Sequence, residues 1–196
     1  EVSAAVLIPR PETELVVETA LARLPQKGMT RIADVCTGSG CIGIALAHER
    51  REAHVISTDV SAPALAVARR NAQRCGVAGS VRFVQSDLLT GVREPFDAIV
   101  SNPPYVPDTA RASLQPEVRD FEPAAALFAG ADGLAIIRRL VEEASDRLVP
   151  GGVLTFEFGE GQEAAVRELI SATRPLTMAL VERDLDLLAP MARKNL

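Results

Sequence analysis

Tryptophan is absent, tyrosine occurs once, and aromatic residues make up only 4% of the 196-residue chain. Proteins that grip unstacked nucleic-acid bases lean on aromatic faces, and this chain has few to offer. A formal net charge of −5 also argues against a broad basic face for duplex binding. Histidine is scarce. Neither His48 nor His54 sits in a Ser/Cys–His–acid signature, so a hydrolytic triad is not expected. The three cysteines, Cys36, Cys41 and Cys75, are odd in number and lack metal-type spacing. They read as reduced, mostly buried thiols of a cytoplasmic protein, with no metal site. No apolar run reaches membrane-spanning length, and no secretory signal, internal repeat or low-complexity linker is visible.

What the chain does have is apolar bulk, 47% hydrophobic against 24% charged, enough to bury the core of one ordinary domain. Apolar runs alternate with amphipathic ones. Residues 31–35, 54–58, 81–84, 96–100 and 153–158 read as strands. Residues 42–51, 62–75, 134–148 and 162–172 read as helices. Ser61-Ala62-Pro63 supplies a cap and an early proline, while Pro150-Gly151-Gly152 is a helix stop. Residues 6–14, VLIPRPETE, read as a strand entering a helix, with Glu12 and Glu14 suited to the positive end of its dipole. This order predicts an α/β fold: a mostly parallel twisted sheet, helices on both faces, and a ligand site at the carboxyl edge of the strands.

The first strand runs into Asp34-Val35-Cys36-Thr37-Gly38-Ser39-Gly40-Cys41-Ile42-Gly43, a G-x-G-x-x-G spelling between strand and helix. Glycines there allow a tight turn, and the helix behind them offers free N–H groups. Asp59 ends the second strand about twenty residues on, where a carboxylate can accept ribose hydroxyls, and it can also cap the next helix beside Ser61. The loop itself leaves two ligands open, a nicotinamide or flavin dinucleotide and S-adenosylmethionine. Asp87, ending the third strand, could accept from an adenine amine with Leu88 against the ring.

The fourth strand ends in Val100-Ser101-Asn102-Pro103-Pro104-Tyr105. Proline has no N–H, and it keeps the residue before it extended. The result is a stiff pair of acceptors, the Asn102 side-chain oxygen and the Pro103 carbonyl, suited to the two N–H groups of a planar –NH2. Tyr105 can pack on the plane carrying that nitrogen. Holding a weak nucleophile in line with an electrophilic methyl can supply up to roughly 7–11 kcal/mol of barrier reduction.

With these motifs the sequence resembles the Rossmann-like class I S-adenosylmethionine-dependent methyltransferases. More narrowly, it resembles the HemK/PrmC-type enzymes that methylate a glutamine side-chain amide in peptide-chain release factors. Val6 to Glu14 is the most specific match, and residues 118–123, 126–127 and 132–134 also fit the pattern after N-P-P-Y. The resemblance implies that Cys36, Thr37, Gly38, Ser39 and Gly40 cradle the methionine part of S-adenosylmethionine. Asp59 would hold its ribose, and Asp87 with Leu88 its adenine. Asn102, Pro103, Pro104 and Tyr105 would hold the acceptor glutamine of a Gly-Gly-Gln loop, with Asn102 also facing the cofactor. Residues 6–14 would lie over the cofactor pocket, with Leu7 and Arg10 as lining residues.

The family also carries a helical N-terminal domain that grips the release factor. All 196 residues are expected to form the catalytic domain, without that helical one. The family's final strand follows an Asp-Leu and a glycine, a pattern that residues 184–190 do not carry, so no last strand is assigned. The expected partner is a release factor, with no membrane and no stable nucleic-acid binding. Two other functions remain: amino-methylation of adenine or guanine in DNA or RNA, and dinucleotide-dependent oxidoreduction.

Overall fold

The computed structural model describes residues 1–25, 28–183 and 188–194. Its elements run α1 (Thr13–Arg23), β1 (Thr30–Val35), α2 (Cys41–Glu49), β2 (Ala53–Asp59), α3 (Ala62–Arg74), β3 (Val81–Gln85) and β4 (Phe96–Ser101). A 3-10 helix (Asp108–Ser113), α4 (Pro116–Phe121), α5 (Ala124–Leu127), α6 (Ala135–Arg147), β5 (Leu148–Phe156), α7 (Glu163–Ala172), β6 (Leu176–Arg183) and β7 (Leu188–Lys194) follow.

The strands form one sheet in the order β3-β2-β1-β4-β5-β7-β6. The first five are parallel, and β7 runs antiparallel between β5 and β6. Strand order reverses between β1 and β4, so the crevice at their carboxyl ends is where a ligand is expected in such sheets. The central strands are apolar on both sides, as a covered parallel sheet requires. Ile32, Val55, Ala98 and Val100 pack with α1 and α2, while Ala33, Ile56, Ile99 and Leu154 pack with α6 and α7. Neighbours in one strand thus serve opposite layers, the period-2 rule of a pleated strand.

Three readings are corrected. VLIPRPETE is not a strand: its first half is irregular, and the helix begins only at Thr13. Prolines at 9 and 11 remove two backbone donors from the segment, which suits a loop better than a sheet. The fifth strand starts at Leu148, directly after α6, and ends at Phe156. Phe96 pairs with Leu148 but Ala98 with Val153, so Pro150, Gly151 and Gly152 sit in a bulge rather than ending an element. The last strand, unassigned from sequence, is β7; residues 184–187 of the unmatched stretch lie outside the described residues.

Candidate functional site

Backbone geometry marks the site first. Among the described residues only two non-glycines have positive φ, Cys36 at 59° and Leu88 at 47°. Both follow the carboxyl ends of strands and both line one cleft. Non-glycine residues held in this region are strained and cluster at functional sites.

The glycine loop is held from below by Asp34, which is 0% exposed. Its Oδ2 accepts from the Thr37 hydroxyl at 2.5 Å, the Gly43 N–H at 3.0 Å and the Ser57 hydroxyl at 3.3 Å. Oδ1 has no partner. Burial pushes the Asp34 carboxyl up to about 6, against the opposing pull of these three donors. Gly43 must be glycine, because a Cβ there would lie 2.6 Å from both Asp34 Oδ2 and Ser57 Oγ. The loop is held from above by Asp59. Its Oδ2 accepts from the Gly38 N–H and its Oδ1 from the Ser61 N–H, each at 2.9 Å. Each oxygen keeps a lone pair for a ligand hydroxyl. The helix cap comes from Ser61 itself, whose hydroxyl accepts from Ala64 N–H.

Cys36, Thr37, Gly38 and Ser39 line the cleft beside Asp59, Asp87 and Leu88, and Asn102 and Pro104 line it from β4. Gly40 does not; it caps α2 with φ 84°. Pro103 and Tyr105 are not in the cleft wall either. Tyr105 turns its hydroxyl to Glu157 Oε1 at 3.0 Å. Asp87 is tied through Oδ2 to Arg139 at 2.9 Å. The Cys36 thiol is pushed up to about 12, by burial first and by the negative charge of Asp59 next, so it stays protonated and is no nucleophile.

The irregular segment before α1 roofs the cleft through Ala5, Val6, Leu7 and Pro9. Leu7 therefore lines it as expected. Arg10 does not; it pairs with Glu122 at 2.9 Å and fastens the segment to the loop after α4.

Sequence reasoning missed four contributors. Thr13, the first residue of α1, faces the cleft and accepts at Oγ1 from Asn102 Nδ2 at 3.1 Å. Glu157, directly after β5, accepts from the Thr13 hydroxyl at 3.2 Å and is 2% exposed. Ile136 and the segment around Pro123 complete the wall. Thr13 and Pro123 lay inside the motifs at residues 6–14 and 118–123 without being singled out, and Glu157 had a signal of its own, a lone acid in the apolar run Val153-Leu154-Thr155-Phe156-Glu157-Phe158. Among the described residues no group of three or more His, Cys, Asp or Glu could hold a metal ion. No helix among them is long and apolar enough to cross a membrane.

The cleft fits a nucleoside: paired acceptors at Asp59 and an apolar wall at Leu88 and Ile136. Comparison with known proteins agrees. A release factor glutamine methyltransferase of Bradyrhizobium diazoefficiens is 45% identical over 173 residues, covering 87% of this chain and 58% of its own length. One from Chlorobaculum tepidum is 47% identical over 178 residues, covering 86% and 60%. The chain thus spans about three-fifths of the length of the curated relatives it matches. The ribosomal protein L11 methylase of Lactobacillus delbrueckii superposes with a TM-score of 0.71 at 21% identity, covering 95% of this chain and 81% of that one. The Thermus thermophilus 16S rRNA N2 G1207 methyltransferase, in complex with AdoMet and guanosine, gives 0.66 at 20%, covering 96% and 44%. At such identities the likeness is one of fold. The family model of the methyltransferase small domain matches residues 13–118, more than half of the sequence, and the chain belongs to that family.

Proposed function

We propose that residues 1–196 form the catalytic domain of an S-adenosylmethionine-dependent methyltransferase acting on the glutamine amide of a Gly-Gly-Gln loop in peptide-chain release factors. The observation that carries this reading is one continuous cleft. It joins the loop at residues 36–39 and Asp59 to Asn102 and Pro104, across adjacent strands β1 and β4. The relatives sharing 45–47% of residues carry the name of that activity.

When bound, S-adenosylmethionine supplies an activated methyl on a good leaving group. Asp59 would accept the ribose hydroxyls, and Leu88 and Ile136 would enclose the adenine. Asn102 Oδ1 and the Pro103 carbonyl would each accept one N–H of the glutamine amide, fixing its nitrogen. The nitrogen would gain the methyl as the carbon–sulfur bond breaks with its electron pair leaving on sulfur, and would then release one proton to water, so no strong base is needed before attack. Tyr105 cannot serve as a base: burial and the neighbouring Glu157 raise its phenol well above the ordinary value.

The test is methyl transfer from labelled S-adenosylmethionine to an intact release factor, to its Gln→Ala variant, and to DNA and RNA. Label on the release factor alone, lost in the Gln→Ala variant, is expected. Label on nucleic acid instead would make this a base amino-methyltransferase. Calorimetric binding of a nicotinamide dinucleotide in preference to S-adenosylmethionine would point to the oxidoreductase alternative.

A further inference from the structure

Glu157 is a buried acid that the proposed reaction does not use. Its surroundings give it a task. An asparagine amide turned by 180° occupies nearly the same space but exchanges its oxygen for an NH2. Facing a glutamine amide nitrogen, the oxygen attracts and the NH2 repels. Something must select the orientation of Asn102.

The Asn102 Nδ2 group donates to Thr13 Oγ1 at 3.1 Å. A threonine hydroxyl has one proton to give, and Thr13 gives it to Glu157 Oε2 at 3.2 Å. With that proton committed, the Thr13 oxygen can only accept. The other oxygen of Glu157 accepts from Tyr105 at 3.0 Å. A carboxylate has nothing to donate, so it sets the direction of the whole chain. We propose that Glu157, acting through Thr13, fixes the Asn102 side-chain oxygen toward the acceptor, making Glu157 and Thr13 positioning residues. This rests on the amide-nitrogen reading above.

The placement is firm. The Glu157 N–H donates to Ser101 O at 3.0 Å, which sets it beside the residue preceding Asn102. Thr13 opens α1, whose positive end favours a carboxylate nearby. Burial first, with Glu12 as the other negative group facing it, raises the pKa of Glu157, while the bonds from the Tyr105 and Thr13 hydroxyls and the nearby Asn102 amide oppose this. A glutamine at 157 would keep the shape but could donate to Thr13. The Thr13 proton could then turn to Asn102 Oδ1, and both orientations would be populated.

The experiment compares wild type, Thr13→Val, Thr13→Ser and Glu157→Gln. Steady-state methylation of an intact release factor is measured beside side-chain amide NMR of the substrate-free protein. Thr13→Val and Glu157→Gln should lower kcat about tenfold, the worth of one oriented hydrogen bond. KM for the release factor should stay near wild type in both, S-adenosylmethionine affinity should stay near wild type in Glu157→Gln, and Thr13→Ser should restore kcat. The Asn102 NH2 protons should exchange slowly in wild type and Thr13→Ser and faster in Thr13→Val. An unchanged kcat in both Thr13→Val and Glu157→Gln, or Asn102 protons indifferent to Thr13→Val, overturns the relay. Melting temperatures identify any variant that fails to fold, and the remaining one then decides. A wild-type protein that leaves the release factor unmethylated would overturn the proposed substrate, and the NMR comparison would still decide the relay.

Discussion

On the β1 side of the cleft, the bonds that shape the site join residues fairly close in sequence. Thr37 reaches Asp34 across 3 positions, Gly43 reaches Asp34 across 9, and Gly38 reaches Asp59 across 21. On the β4–β5 side they join residues far apart: Tyr105 to Glu157 across 52 positions, Asn102 to Thr13 across 89, Thr13 to Glu157 across 144. The first group is a property of strand, turn and helix, and needs little of the remaining fold. The second exists only once α1, β4 and β5 have docked. The two halves should therefore fail separately. Damage near β1 should weaken cofactor binding and stability, while damage near β4 should weaken turnover.

The strongest attempt to break that division is Asn102→Ala. It removes an acceptor aimed at the proposed nucleophile while leaving Asp34, Asp59 and the glycine loop untouched. Methyl transfer to the release factor should fall by about 100-fold or more, with S-adenosylmethionine affinity within about threefold of wild type. Transfer kinetics and calorimetry on the same preparation check both halves. A variant that loses both in proportion would merge the two regions into one.

The converse is Asp59→Ala. This carboxylate holds the loop at Gly38 and the α3 start at Ser61, and offers its remaining lone pairs to a ribose. Two hydrogen bonds to a charged acceptor are together worth a loss of about 100-fold in cofactor affinity. Turnover at saturating cofactor should change little. If kcat instead falls while affinity holds, Asp59 acts on the acceptor side and the division is misplaced.

The same contrast explains what could be read in the sequence. Alternating apolar runs fixed five parallel strands because each was short, apolar and bounded by turn residues. The glycine loop and Asp59 were legible because their partners lie along one strand–turn–helix–strand unit, β1 to β2. Asn102 was legible because the prolines after it limit the local backbone to few conformations. Thr13 and Glu157 were not, since a threonine behind two prolines and an acid in an apolar run each have many local explanations. Only the β4–β5 pairing and the docking of α1 bring them together. VLIPRPETE shows the same limit. Its place over the pocket followed from the family resemblance, but its strand-like spelling concealed the irregular backbone that delivers Thr13. Cys36 and Leu88 were legible as site residues, but not their left-handed backbone, because nothing in a cysteine or a leucine predicts positive φ.

A third way to sharpen the comparison uses pH. Asp34 titrates at about 6 when folded, against 3.8 for the unfolded chain. Between those values the folded state holds the proton more firmly, so this group's contribution to stability is full below the unfolded value and declines as pH rises to 6. A shift of this size is worth roughly 2–3 kcal/mol. In Asp34→Asn that slope disappears. Urea unfolding of both proteins from about pH 4 to about 7 should therefore show a stability difference that changes by about 2 kcal/mol over the lower half of the range. A difference that stays constant would mean the loop is not held by a buried ionisable group, and the self-contained character of the β1 half would be lost.

The smallest effect is expected at the outer rim of the same half. Arg139 holds Asp87 at 2.9 Å, but the two side chains are 42% and 51% exposed. Solvent screening limits such a pair to about 1 kcal/mol or less. Arg139 also leans toward Glu143 at 3.5 Å, and Glu143 Oε2 accepts from the Leu89 N–H at 2.8 Å. Arg139→Ala therefore leaves the turn after β3 anchored through Glu143 and releases only the Asp87 carboxylate. Cofactor affinity should move by no more than about threefold, because the adenine would keep its apolar wall at Leu88 and Ile136. Turnover should not move at all. A loss of tenfold or more on calorimetry would show that the pair presets Asp87 for the adenine amine. The β1 half would then depend, like its neighbour, on a contact across more than fifty positions of sequence.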